Sequence, residues 1–139
     1  MNYFQVKTIK NLLERKNGYL WLAIMWTLFM AYLCLTDFNK LPTIKIGGVD
    51  KSVHVILHFF FTLFWYLYVS SSRIIKKNQV LVVGIASLFY GAIIEVAQAL
   101  FTTTRKADVV DVFANSVGTI AACFVAVYLI YQSKETNFN

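Results

Sequence analysis

Four long apolar runs joined by short polar connections constrain this chain more than anything else in it. They occupy residues 18–36, 52–72, 78–104 and 112–133. The first has no charge between Lys16 and Asp37, and the second holds two histidines and no formal charge. Glu95 is the only formal charge of the third, and the fourth has none. A bilayer core about 30 Å thick is crossed by about 20 apolar helical residues, so each run is long enough to span it. Charged residues make up 14% of the chain, well below the roughly 25% of a soluble domain. The expected fold is therefore an all-α integral membrane protein, a four-transmembrane-helix bundle in one domain over residues 18–132. Its spans are expected at about 19–36, 52–72, 79–101 and 111–131.

The flanks suggest how the bundle is oriented. Residues 1–17 place Phe4, Val6, Ile9, Leu12 and Leu13 at roughly helical spacing, with Lys7, Lys10, Arg15 and Lys16 between them. That pattern predicts a short amphipathic helix on the cytoplasmic membrane surface. A signal peptide fits less well, because the apolar run is long and no small-x-small cleavage pattern follows it. A lipoprotein site at Cys34 fails because Leu33 precedes it. The N-terminus, the Arg73–Lys77 loop and the polar tail (133–139) carry eight of the 13 Lys and Arg, and the two opposite connections carry five. The positive-inside rule then puts both termini in the cytoplasm, N-in and C-in. The net charge of +6 belongs beside apolar spans, where it meets lipid headgroups, and nucleic acid is not an expected partner. Cys34 and Cys123 lie in apolar runs without a CxxC or Cys/His neighbour, and read as packing residues.

Polar residues gather at one level. An ionised carboxylate inside an apolar helix costs roughly 2.5–3.5 kcal/mol on insertion scales, so Glu95 requires a partner or a use. At about 1.5 Å per residue, His54 lies roughly 4–5 Å and His58 roughly 10 Å inside the start of the second span. On the same rise, Gln98 and Glu95 lie roughly 4–5 and 9 Å inside the end of the third, and Asn115 roughly 6 Å inside the start of the fourth. Azimuth agrees with depth. His54 and His58 are four apart, Glu95 and Gln98 three apart, and Asp108, Asp111 and Asn115 step by three and four. On the third helix the same face continues through Gly91, Leu88 and Gly84, and on the fourth through Gly118 and Ala122. Small residues allow close helix approach, so the polar faces should also be packing faces.

Plainer readings accompany each residue. Asp50 before Lys51 is also an N-cap signal. Glu95 could be a neutral acid clasping a histidine, Arg105 with Asp108 an ordinary loop pair, Asp108 a cap of the fourth helix, and Asn115 glue between helices. Only the set as a whole, at one depth and on facing sides, points to a site.

The string Asp50-Lys51-x-x-His54, then Glu95-x-x-Gln98, then Arg105-x-x-Asp108-x-x-Asp111-x-x-x-Asn115-x-x-Gly118 resembles the VanZ-like family of small bacterial membrane proteins. The resemblance runs from about Asp37 to the end of the fourth span. It implies a four-helix domain in the bacterial inner (cytoplasmic) membrane and a cell-envelope context. The family's founding member is associated with resistance to the glycopeptide teicoplanin.

Three kinds of function fit these residues. The first is a site that binds or processes a phosphorylated or glycosylated envelope lipid. Glu95, His54 and Asp111 are its candidate catalytic groups, with a His–Glu pair as general acid and base. Asp50, Lys51, His58, Gln98, Arg105, Asp108 and Asn115 are its candidate substrate contacts, and Arg105, Lys51 and Lys106 suit phosphate oxygens. Asp50, Asp108 and Asp111 could instead hold a divalent cation bridging a pyrophosphate. His54 and His58 form a possible metal pair for which spacing fixes no third ligand. No metal site and no cofactor is therefore specified, and no GxSxG, Cys/His or P-loop pattern supplies a nucleophile. The second is a non-enzymatic membrane factor whose cluster locks the bundle or recognises a partner protein or drug. The third, a proton or ion pathway, is weakest because the inner halves of the spans continue no ionisable chain. Membrane lipids are expected partners, and the sequence sets no oligomeric state.

Overall fold

The computed structural model describes residues 3–36, 49–72, 78–102 and 108–136, with side chains over 14–36, 50–71, 78–102 and 108–132. These residues form four α-helices: α1 (Tyr3–Leu35), α2 (Val49–Ser72), α3 (Gln79–Phe101) and α4 (Val109–Thr136). Each contains a segment long and apolar enough to cross a membrane, at Glu14–Leu35, Asp50–Ser71, Gln79–Phe101 and Val109–Gln132. The chain is a multi-pass membrane protein. The helical backbone of residues 3–17 runs on through Gly18 into the first span without a break. Its side chains before Glu14 lie outside the described residues, and so does any amphipathic face there.

The starts of α2 and α4 and the ends of α1 and α3 meet at one end of the bundle. Lys51 at the start of α2 pairs with Asp111 at the start of α4, and Gln98 near the end of α3 donates to the Cys34 carbonyl near the end of α1 at 2.8 Å. Helix α2 is the central element and packs on all three others, whereas α1 contacts α2 and α3.

Packing follows residue size. Gly118 lets α4 lie directly on the α2 backbone, because a Cβ there would collide with the Val55 carbonyl oxygen and come within 3.0 Å of the Phe59 nitrogen. Helix α1 is attached by indole and phenol donors. Trp26 donates to the Leu57 carbonyl at 3.0 Å, Trp65 to Thr27 Oγ1 at 3.1 Å and Tyr90 to the Thr27 carbonyl at 3.2 Å. Trp26 therefore belongs partly to the bundle interior. Phe61 stacks on Tyr90 with centroids 4.6 Å apart, beside a core of Met30, Cys34, Leu57 and Ile94. Phe89, Phe113 and Phe124 point outward, as lipid-facing positions of a spanning bundle must.

One expected packing residue faces the other way. Leu88 is exposed, and the buried positions below Gly91 are Ser87, Gly84 and Val83. With 3.6 residues per turn, steps of three and four from Gly91 are both nearly in phase, and the smaller side chain took the interior.

A buried polar site at one end of the bundle

The site is built from three stripes of residues four apart, one on each of α2, α3 and α4. They are His54-His58-Thr62, Glu95-Gly91-Ser87 and Asp111-Asn115-Thr119, and the polar members are all buried. Residues four apart on a helix share a face, so three such faces turned inward produce layers.

The outermost layer is ionic. The Lys51 ammonium donates to Asp108 Oδ2 at 2.7 Å and to Asp111 Oδ1, with Asp50 Oδ2 4.0 Å away. Asp50 and Asp111 lie in the first turns of their helices, where the helix dipole favours carboxylates by about 0.3–1 kcal/mol each. Asp108 caps α4. Its Oδ1 accepts from the Val110 amide at 2.9 Å, and its carbonyl accepts from the Asp111 amide at 3.0 Å. Asp108 lies just outside the spanning segment, where the bond from Lys51 and then the Val110 amide hold its carboxyl below the usual carboxylate range.

The next layer is a buried triad. Asn115 Nδ2 donates toward Glu95 Oε1 at 3.4 Å, so its Oδ1 is the acceptor facing His54 Nδ1 at 3.0 Å. That orientation makes His54 Nδ1 a donor, and Nδ1 also lies 3.5 Å from Glu95 Oε1. His54 Nε2 faces Asp111 Oδ2 at 3.9 Å and joins the triad to the ionic layer. Glu95 is 3% exposed, and its Oε2 has no hydrogen-bond partner among the described residues.

Below lies a layer of hydroxyls. His58 Nδ1 is 3.4 Å from Ser87 Oγ, Thr62 donates to Ser87 at 2.7 Å, and Ser87 and Thr119 lie 3.0 Å apart. Thr62 Oγ1 also lies 2.8 Å from the His58 carbonyl oxygen. His58 Nε2 is buried without a partner among the described residues. Gly91 is required here, because a Cβ would sit 2.9 Å from His58 Cε1 and 3.3 Å from Asn115 Nδ2. Thr62, Ser87 and Thr119 are site residues that the sequence pattern alone does not single out. Their signal is the four-residue step inward from His58, Gly91 and Asn115.

The chain belongs to the VanZ/LLP1 family. The family model spans residues 2–131, and so takes in all four spans and every residue of the site. No curated protein and no solved structure matches the chain.

Within this VanZ/LLP1 bundle, the structure brings together Glu95, His54, Asp111, Asn115, Lys51, Asp108 and Asp50. His58 occupies the adjoining hydroxyl layer. Gln98 is buried, but its side-chain amide bonds to α1, away from the triad. Arg105, with Lys106, lies outside the described residues.

Proposed function

We propose that this VanZ/LLP1 protein resides in the bacterial inner membrane with both termini inside. In this reading its polar end opens outward and binds the headgroup of a phosphorylated or glycosylated envelope lipid. His54 and Glu95 are the groups placed to move a proton at that headgroup, with Asp111 beside them. Asp50, Lys51, Asp108 and Asn115 would contact the ligand or hold those groups, with Arg105 joining from the adjacent connection, and Gln98 and His58 supporting the site from α1 and from beneath. The observation that carries the reading is the buried His54–Asn115–Glu95 triad lying directly under a ring of partly exposed charged side chains at one end of the bundle. A structural clasp satisfies its own polar groups, and this one leaves a Glu95 oxygen unpartnered among the described residues. Below the hydroxyl layer the interior becomes Tyr66, Val83 and Ala126, which argues against a continuous ion path through the described residues.

Native mass spectrometry of the protein released from its own membranes tests the reading. A co-purifying phosphorylated or glycosylated lipid is expected at one per chain, reduced about tenfold, or about 1.4 kcal/mol, in Asp111→Asn. Bulk phospholipid alone, in unchanged amount in the variant, would count against it.

A further inference from the structure

Among the described residues, the ring above the triad gathers the carboxylates of Asp50, Asp108 and Asp111 around one ammonium, that of Lys51. Beneath the ring, Glu95 keeps one oxygen unpartnered among the described residues at 3% exposure. Within this ring, ligand atoms of Asp50, His54 and Asp111 all lie within 4.8 Å of one another.

The orientation of His54 gives that grouping its chemistry. With Nδ1 facing Asn115 Oδ1 at 3.0 Å, His54 turns Nε2 toward Asp111 Oδ2, 3.9 Å away. The two atoms are too far apart for a hydrogen bond, and a cation between them would bridge the gap. Histidines that bind metals commonly donate the other ring N–H to a polar partner that fixes the tautomer. Asn115 does so here and is itself held by Glu95. Asp50 and His54 are four apart on α2 and present their donors on one face.

We propose that Asp50, His54 and Asp111 bind a divalent cation, with Lys51 occupying the site as its resident counter-charge in the ion-free protein. One imidazole and two carboxylates suit a borderline ion such as Mn²⁺ or Zn²⁺. Three protein ligands leave coordination positions open toward the mouth, where an anionic headgroup oxygen can bind. The cation deepens the headgroup reading, because it lets an acidic mouth accept a phosphate, and it narrows that reading: with Nε2 on the ion and Nδ1 on Asn115, His54 is a ligand and Glu95 is the group left to move a proton. The site itself does not depend on lipid, so a titration without lipid separates the two.

The test is a titration of chelator-stripped, detergent-purified protein with Mn²⁺, followed by loss of the free-ion paramagnetic resonance signal, and with Zn²⁺ by calorimetry. One saturable ion per chain is expected. Asp50→Asn, at a position more than half exposed, weakens binding at least tenfold. Lys51→Met tightens it several-fold, because the competing ammonium is gone. Electron spin-echo spectra of the Mn²⁺ form show a nitrogen coupling that disappears in His54→Gln, with folding of each variant followed by its melting curve. The proposal is overturned if neither the wild-type protein nor Lys51→Met takes up a saturable ion. It is equally overturned if the ion binds Asp50→Asn as tightly as wild type, or shows no nitrogen coupling.

Discussion

His54 is the residue at which the layers join, with Asn115 and Glu95 on one ring nitrogen and Asp111 on the other. Replacing it with alanine leaves Asn115 Oδ1 and the Glu95 carboxylate short of a donor. The unmade bonds cost about 1–3 kcal/mol, and a lower melting temperature in detergent is the expected result. Asp108 gives the ionic layer a pH dependence. Its folded pKa lies below its ordinary value, so its stabilisation is present above that ordinary value, about 3.9. It is lost as pH falls through the folded value. Melting temperatures measured across the acid range should fall on acidification, and Asp108→Asn should remove part of that slope. Lys51 shows why a residue's identity does not predict its contacts. Suited to phosphate by its charge, it is held by Asp108 and Asp111, because two helix N-termini bring acids to the same end. Gln98 follows Glu95 by a three-residue step, yet α1 covers that side of α3 and its Cys34 carbonyl takes the amide.

Among the helices, the glycines separate close approach from mere tolerance. Gly118→Ala drives a Cβ into the α2 backbone at Val55. Neither helix can shift without disturbing the triad, so a loss of about 1–3 kcal/mol is expected from overpacking. At Gly18 a methyl group would meet nothing within 4 Å, and Gly18→Ala in the middle of α1 should stabilise by about 0.5–1 kcal/mol. Thermal melts of the pair should therefore move in opposite directions. The helices themselves were legible because hydropathy and length are strong signals. The third span, expected at about 79–101, coincides with Gln79–Phe101, while α2 begins slightly earlier and α4 runs slightly beyond their expected limits. The meeting of His54, Glu95, Asp111 and Asn115 was legible too, since depth and helical phase placed all four on inward faces at one level. The hydroxyl layer was not. Serine and threonine are ordinary in membrane helices, where they bond to their own helix backbone, and only the packing of α2, α3 and α4 shows Thr62, Ser87 and Thr119 turned toward each other.

On the scale of the whole molecule, the buried polar layers run from one end of the bundle to near mid-span at Thr62, Ser87 and Thr119, and the interior beyond them packs around Tyr66, Val83 and Ala126, an asymmetry suited to a site reached from one side of the membrane. With Cys34 and Cys123 replaced by alanine, a cysteine at Asp50 should react with a membrane-impermeant maleimide added outside intact cells. Reaction only after the cells are opened would reverse the proposed orientation. The central claim is that this polar end acts on a ligand beyond holding the helices together. Glu95→Gln tests it most directly, in a strain with an envelope phenotype that depends on this chain, with membrane abundance and melting temperature measured alongside. Protein at normal level and normal melting temperature, but without function, is the expected result. Function lost in step with abundance and melting temperature would make Glu95 a structural clasp and contradict the claim.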